Sequence, residues 1–206
     1  PVAPAAPHLL LLGANTLCQT RAGGQNWQQT SPDLSRPTYD TPASVGVFNA
    51  QPSAQPTRRG VIYTVAPSPL EQNRLWAGTD DGLIHLTTDG GKNWSDVTPP
   101  QSGAWWKISV MDASHFDKNT AYAGVNTIRL DDLRPHIYRT TDAGKTWQEI
   151  VQGIPPNENV NTVREDPVRP GLLFAGPERT VSLPFDAGPP WPAPRPPVPA
   201  PPGPAP

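Results

Sequence analysis

Two pairs of adjacent aspartates are the candidates for catalytic residues in this chain. They are Asp80-Asp81 and Asp131-Asp132. Paired carboxyl groups serve glycoside hydrolysis, where one donates a proton and the other acts as nucleophile or base. Both pairs stand among turn-forming residues, and aspartate commonly bonds backbone N–H groups in turns. A turn-forming role is therefore predicted, and the catalytic alternative depends on a separation between carboxyl groups that only a structure supplies.

The remaining candidates for chemistry are weaker. The four histidines follow no metal-ligand spacing, and the single cysteine, Cys18, excludes an intrachain disulfide and a cysteine-based zinc site. The phrase Gly90-Gly91-Lys92 lacks the upstream glycine spacing of a phosphate-binding loop. Asp131, Asp132 and Arg134 could bind a ligand, but a solvated hairpin with a local ion pair is favoured. No catalytic residue, cofactor or metal ligand is predicted.

A repeated eight-residue phrase indicates the elements that must position these side chains. It occurs at 87–94 and again 53 positions later at 140–147, and reads hydroxyl-x-Asp-x-Gly-x-Asn/Thr-Trp. Aspartate and the hydroxyl can bond N–H groups across a tight turn, glycine supplies positive φ, and Trp anchors the following strand in a core. The residues given this structural role are Thr87, Asp89, Gly91, Trp94, Thr140, Asp142, Gly144 and Trp147. We expect both indoles to be largely buried in equivalent sites.

Two weaker copies extend the series to four units. The upstream copy, 20–27, has Ala22 where aspartate is expected, and the downstream copy, 184–191, keeps the skeleton Asp186, Gly188 and Trp191. An apolar run ending in glycine precedes every copy: Leu9–Gly13, Leu75–Gly78, Ala121–Gly124 and Leu172–Gly176. A further apolar strand precedes three of them, at 61–69, 108–117 and 161–167. Such a period indicates one supersecondary unit that is used several times.

These phrases resemble the Asp-box (BNR) repeat of sialidases, some glucanases, the Vps10 domain of sortilins and photosystem II assembly propellers. The likeness is strongest to bacterial sortilin-like or BNR-repeat glycosyl-hydrolase-like proteins, and it covers roughly residues 8–191. The resemblance implies an all-β fold of β-propeller-type blades, a partial propeller of about four Asp-box units. It places Asp89 and Asp142 at the outer rim, bonded to backbone N–H groups. It implies no catalytic residue, because the Asp box is a structural turn in this family.

Two segments interrupt the repeat and a third follows it. Ser31–Thr57 is an irregular, Pro-rich excursion between units, and Thr127–His136 is a smaller insertion within the third unit. Residues 184–206 are about half proline, which favours polyproline II or disorder. We expect blades over 1–191 and a Pro-rich C-terminal tail over 192–206. Four units do not close a ring in this family, so the open sheet edges need a cover.

The composition restricts the classes of function that the chain can have. The net charge is −2 and 17% of the residues are charged, so the composition lacks the positive charge excess that indicates nucleic-acid binding. No apolar run approaches the ~20 residues that span a bilayer, so the chain is not expected to be transmembrane. The sequence predicts a non-catalytic interaction module, an extracytoplasmic bacterial subunit with protein partners in a larger membrane or photosynthetic complex. The alternative is part of a secreted glycan-binding or glycoside-hydrolysing propeller, although the Phe/Tyr-Arg-Ile-Pro phrase of sialidases is missing.

Overall fold

The chain folds as a row of small antiparallel sheets. A computed structural model describes residues 2–3, 6–38, 42, 60–152 and 154–177. The helical element within these ranges is a single 3-10 turn, Ile128–Leu130. The fold class expected from the repeats, all-β with propeller-type units, is confirmed.

Each unit is a meander in which successive strands are hydrogen-bonded neighbours. Unit 1 contains β1 (Val2–Ala3), β2 (Ala6–Gly13), β3 (Leu17–Thr20) and β4 (Gln28–Gln29). Unit 2 contains β5 (Ile62–Pro67), β6 (Leu75–Thr79), β7 (Ile84–Thr87) and β8 (Ser95–Asp96). Unit 3 contains β9 (Lys107–Ala113), β10 (Ala121–Asn126), β11 (His136–Thr140) and β12 (Gln148–Glu149). Unit 4 contains β13 (Val160–Glu165) and β14 (Leu173–Pro177).

The hydrophobic core lies between the units. Side chains alternate along a strand, so the second strand of an internal unit supplies residues to the units on both sides of it. In β6, Leu75 and Ala77 pack with Leu9, Leu11 and other side chains of unit 1. Trp76, on the opposite side of the same strand, packs in the cluster shared with unit 3. A third cluster joins units 3 and 4.

In units 1 and 2, the glycine that ends the apolar run allows a close approach to the next unit. A Cβ atom at Gly13 would lie 3.0 Å from Ile62 Cβ, and one at Gly78 would lie 2.5 Å from Ile108 Cγ2. Both contacts are made with the first strand of the following unit. A side chain at these positions would therefore push neighbouring sheets apart, which explains why the run ends in glycine.

Parts of the sequence-based predictions lie outside the described residues. These parts are Asp186, Gly188 and Trp191 of the fourth copy, the boundary at 191 and the tail 192–206. Of the excursion Ser31–Thr57, residues 31–38 and 42 are described. Its beginning packs on this chain: Leu34 is buried in the cluster between units 1 and 2, and its N–H donates to Asn15 O.

Candidate functional site

The antiparallel order of the strands distributes the loops over two faces of the molecule. Loops after the first and third strands of a unit emerge on one side, called here the box face because it carries the repeated phrase. Loops after the second strand, and connections between units, emerge on the other side, called the insertion face. The excursion at 31–57 and the insertion at 127–136 both belong to connections on the insertion face. Loops of this kind, held by a rigid scaffold, commonly carry binding residues.

The first carboxylate pair lies on the insertion face and ties units together. Asp81 is buried, and its carboxylate accepts hydrogen bonds from Arg36 N–H at 2.8 Å and from the Thr79 hydroxyl at 2.5 Å. The Arg36 guanidinium Nε donates to Asp81 O at 2.7 Å. Asp80 accepts from Val61 N–H at 2.8 Å and forms an ion pair of 3.2 Å with Arg129. Both carboxylates thus accept hydrogen bonds from a backbone N–H group, and each has a second side-chain donor: Arg129 for Asp80 and Thr79 for Asp81.

The second carboxylate pair belongs to the insertion of unit 3. Asp131 is the left-handed C-cap of the 3-10 turn, with φ of 57°. Asp132 accepts from Arg134 Nε at 2.9 Å, from Arg134 Nη2 at 2.6 Å and from the Arg134 N–H at 3.0 Å. Hydrogen bonding to this guanidinium holds the pKa of Asp132 well below its usual range. The arrangement is a local ion pair on a hairpin.

An aromatic stack beside this hairpin is not evident from the sequence. Trp106 stacks on His136 with ring centroids 5.0 Å apart, and Tyr138 lies 6.4 Å from Trp106. The His136 ring bonds Glu149 Oε1 through Nδ1 at 2.8 Å. Burial, followed by the Glu149 charge, raises the pKa of Tyr138 above its usual range. The signal that could have indicated this stack was the Trp105-Trp106 pair directly before a strand.

A second aromatic contact lies where the first strands of units 2 and 3 begin. The Lys107 ammonium is 3.7 Å from the centroid of the Tyr63 ring, and the Tyr63 side chain is exposed. Cation–π contacts at exposed sites contribute about 0.5–1 kcal/mol. The insertion face therefore combines exposed aromatic surface with several fixed positive and negative charges.

A tyrosine and a glutamate form a hydrogen-bonded pair that is buried between units 3 and 4. The Tyr122 hydroxyl donates to Glu165 Oε1 at 3.0 Å, and His115 N–H donates to Glu165 Oε2 at 2.8 Å. Tyr122 and Glu165 are 2% and 5% exposed. Burial, followed by the Glu165 charge, raises the pKa of Tyr122 above its usual range. This buried, neutral phenol links units 3 and 4 and is not accessible to a substrate.

The box residues form the same closed turn in units 2 and 3. The Thr87 hydroxyl donates to Asp89 Oδ1 at 2.9 Å and accepts from Gly91 N–H at 3.0 Å. Asp89 also accepts from the N–H and side-chain amide of Asn93 at 3.0 and 2.7 Å. These hydrogen bonds, those from Asn93 first, lower the pKa of Asp89 to about 2.

The turn of unit 3 repeats these contacts with threonine in place of asparagine. Asp142 accepts from the hydroxyl and N–H of Thr146 at 2.6 and 2.9 Å, and Gly144 N–H donates to Thr140 Oγ1 at 2.9 Å. The pKa of Asp142 is lowered to about 2, chiefly by the bonds from Thr146. Every charged oxygen in these turns serves the backbone or a neighbouring side chain of its own turn.

The box tryptophans contact the preceding unit. Trp94 Nε1 donates to Thr30 O at 3.1 Å, and Trp147 Nε1 donates to Val97 O at 2.7 Å. Thr30 and Val97 each stand three positions after the Trp of their own unit. The two indoles occupy equivalent sites, where they are partly buried and pack against the clusters between units.

The described part of the chain holds neither a metal-binding cluster nor a membrane-spanning helix. No group of three His, Cys, Asp or Glu side chains there is placed to hold a metal ion. The same residues contain no helix long and apolar enough to cross a membrane.

Comparisons with known proteins establish the fold class. No protein-family model matches the chain. The chain resembles the GH74 xyloglucanase of Xanthomonas campestris, with a TM-score of 0.65, 21% identity, and coverage of 94% of this chain and 29% of that one. It also resembles the structure of YCF48 bound to D1 peptide, with a TM-score of 0.58, 22% identity, and coverage of 92% and 51%. The architecture is that of a β-propeller.

Curated relatives match shorter stretches. A probable oligoxyloglucan-reducing end-specific xyloglucanase of Neosartorya fischeri is 29% identical over 90 residues, which are 42% of this chain and 10% of that protein. The vacuolar protein sorting/targeting protein 10 of Mycosarcoma maydis is 33% identical over 82 residues, which are 40% and 5%. The matched regions are thus a tenth or less of these relatives' own length. The likeness to both kinds of protein agrees with repeated propeller units.

Proposed function

We propose that the chain is a non-catalytic β-propeller module that binds a protein partner on its insertion face, as an extracytoplasmic accessory subunit of a larger complex. The observation that carries the proposal is the state of the carboxylates. The Asp80 carboxylate is held by Val61 N–H and the Arg129 guanidinium, and the Asp81 carboxylate is held by Arg36 N–H and the Thr79 hydroxyl. The Asp132 carboxylate is held by Arg134. A glycoside hydrolase needs one carboxyl group to donate a proton and another facing the same bond. Carboxylates engaged in this way stabilise loops instead.

The composition of the insertion face supports protein recognition. Protein interfaces are enriched in aromatic residues and arginine. The insertion face offers the exposed ring of Tyr63, the partly buried Trp106 and the Arg134 guanidinium, whose side chain is 70% exposed. Among the structural neighbours, YCF48 is bound to a peptide. By this analogy an extended peptide segment is the expected form of the bound partner.

A secreted glycan-binding or glycan-hydrolysing propeller is the second candidate, and one observation favours it. The Trp106 ring stacks on His136 within reach of two acidic side chains, Asp132 and Glu149. The named similarity to xyloglucanases points to the same class. On this alternative the chain would bind or cleave xyloglucan oligosaccharides at the stack.

The two candidates are separated by binding and turnover measurements on the full chain. The probes are an immobilised library of short peptides and a set of xyloglucan oligosaccharides. We expect peptide binding that is weakened by Tyr63→Ala and Arg134→Ala, with no hydrolysis. Lys118→Ala is the matched control, because Lys118 is an exposed cation in a turn of the box face. Hydrolysis of the oligosaccharides, lost in Glu149→Gln, would establish the enzymatic alternative and overturn the proposal.

A further inference from the structure

A polar cleft lies in the joint between units 1 and 2, where the box turn of unit 2 meets the last two strands of unit 1. It has a volume of about 430 Å³, within the range of about 300–1,000 Å³ that ligand sites occupy. Its lining includes Gln19, Gln28, Gln29, Thr30, Gly90 and Lys92. The surface around Tyr63, Trp106 and Arg134 shares no residue with this lining, so the cleft is a separate feature of the molecule.

The corresponding joint between units 2 and 3 is packed with apolar side chains. Leu86 directly precedes the box threonine of unit 2, Val97 stands three positions after the box tryptophan, and Ala143 is the fourth residue of the next box. Leu86 is buried in the cluster between the two units, and Val97 and Ala143 pack against that cluster. The space beside the box turn of unit 3 is therefore filled by hydrocarbon.

In the joint between units 1 and 2, the same three positions carry polar or smaller residues. They are, in the same order, Gln19, Thr30 and Gly90. Gln19 lies on the same side of its strand as Leu17, two positions earlier, which is buried between the two units. An amide, a hydroxyl and a missing methyl group thus replace the apolar filling, and the cleft follows from the sequence of this joint.

Glutamine amides form the side of the cleft that belongs to unit 1. Gln19 and Gln28 are partners across β3 and β4, which places their side chains next to each other on one side of the sheet. Neither of these two amides bonds another residue in the described part of the chain. Gln29 Nε2 donates to Ser31 O at 2.8 Å, which leaves the Gln29 side-chain oxygen as an acceptor. Because a primary amide both donates and accepts, these groups match the C=O and N–H of a peptide backbone.

The box turn of unit 2 adds a positive charge to the cleft. Lys92 is exposed, and it is the one charged residue among the described residues that line the cleft. Its ammonium group forms no ion pair with a carboxylate in the described ranges. The carboxylate of the same turn, Asp89, is bonded to Thr87 and Asn93 and does not line the cleft. The charge of the cleft therefore complements an anionic group on a ligand.

We propose that this cleft binds a carboxylate carried by an extended peptide segment of a partner protein. The Lys92 ammonium donates a charge-assisted hydrogen bond to the carboxylate, and the amides of Gln19 and Gln28 bond the adjoining peptide groups. An acidic side chain and the C-terminus of the segment are the two sources of such a carboxylate. The inference goes beyond the proposed function, because the cleft is a second contact whose residues are separate from those of the insertion face and which can fail independently.

The test uses the full chain and an array of short synthetic peptides, each made with a free and with an amidated C-terminus. Peptides that lose binding in the double variant Gln19→Leu, Thr30→Val are assigned to the cleft. This variant gives the joint the residue types of its neighbour, so it is expected to fold, with the unfolding midpoint as the check. We expect the assigned peptides to be rich in acidic residues or to require a free C-terminus, which identifies the source of the carboxylate. Peptides lost in Tyr63→Ala instead belong to the insertion face.

A charge reversal in the box turn tests the role of the ammonium without altering the joint. Lys92→Glu is expected to weaken binding of the assigned peptides by about tenfold or more, as loss of a charge-assisted hydrogen bond does. Lys145→Glu is the matched control and should leave binding unchanged, because Lys145 is exposed at the same box position beside the apolar joint.

Three results would overturn the inference. The first is an array in which no peptide depends on Lys92, and the second is an equal loss of binding in Lys145→Glu. The third is binding of a neutral oligosaccharide, cellotetraose, that is lost in the double variant while no acidic peptide binds, which would make the cleft a glycan site.

Discussion

The buried hydroxyl of the box turn connects the carboxylate beside it to the backbone of the turn. Thr87 Oγ1 donates to Asp89 and accepts from the N–H of Gly91, which lies against the preceding unit. Thr140 makes the same contacts in unit 3. The threonine that follows each of them is exposed. The two adjacent threonines of the phrase are the same residue type, but they are expected to contribute differently to the stability of the fold.

Replacing the buried threonine should destabilise the chain, whereas replacing its neighbour should not. Thr87→Val keeps the shape of the side chain but leaves Gly91 N–H without an acceptor, which is expected to cost about 1–3 kcal/mol. Thr88→Val removes an exposed hydroxyl and should change the free energy of unfolding by less than about 0.5 kcal/mol. Urea unfolding of both variants measures the difference. Equal effects of the two substitutions would contradict the structural role of Thr87.

The box carboxylates should make stability depend on acidity. The pKa values of Asp89 and Asp142 are lowered from 3.8 to about 2, so folding favours the ionised forms. Their contribution is fully present above 3.8 and is lost as the pH falls toward 2. Thermal unfolding midpoints measured across this window should fall less steeply for the double variant Asp89→Asn, Asp142→Asn than for the wild-type chain. Parallel slopes would show that other groups govern acid unfolding.

At the scale of elements, the joint between units is where the fold is stabilised. The joints between units 1 and 2 and between units 2 and 3 combine alternating residues of two second strands with the box indole of the later unit. The Tyr122–Glu165 hydrogen bond and the ion pair of Arg164 with Asp112 add polar ties between units 3 and 4. A single two-stranded or four-stranded sheet has no core of its own here, because its apolar side chains are buried only when a neighbouring unit is present.

Truncation of a box tryptophan should therefore weaken a joint. Trp94→Ala and Trp147→Ala remove partly buried indoles and the hydrogen bonds to Thr30 and Val97, and each is expected to cost about 3 kcal/mol. Trp27→Ala is the matched control, since Trp27 holds the same position in unit 1 and is 44% exposed. Chemical unfolding of the three variants measures the difference. A loss as large for Trp27→Ala as for the other two would contradict the role assigned to the joints.

The sequence alone predicts the repeated strands and turns of this fold, but it does not predict the contacts between the units. Gly78, Asp89 and Trp94 recur at fixed offsets, and the local turn chemistry of those residue types predicts strands and turns directly. Tyr122 and Glu165 meet across 43 positions, and Trp106 meets His136 only after two strands have formed. Such contacts depend on how units pack, which no local spacing encodes. The candidate binding surface is for this reason a result of the structure.

At the scale of the whole molecule, hydrogen bonds and an ion pair on the insertion face connect three units. Arg36 follows unit 1, Asp80 and Asp81 belong to unit 2, and Arg129 belongs to the insertion of unit 3. These groups join the beginning of the excursion to the loops of its neighbours. A partner that binds on this face would therefore meet a surface already ordered by its own charges.

Removal of the central carboxylate should loosen this face without creating or abolishing catalysis. In Asp81→Asn the charge is lost and one acceptor oxygen is replaced by a donor, which weakens the contacts with Arg36 N–H and the Thr79 hydroxyl. Hydrogen–deuterium exchange should rise at residues 31–38 and 79–84, and binding from the peptide library should weaken. Asp131→Asn is the matched control, because Asp131 is exposed and asparagine tolerates its left-handed backbone. If exchange stayed unchanged while hydrolysis of a glycoside was lost, Asp81 would be a catalytic acid, and the insertion face would have to be assigned to glycan chemistry.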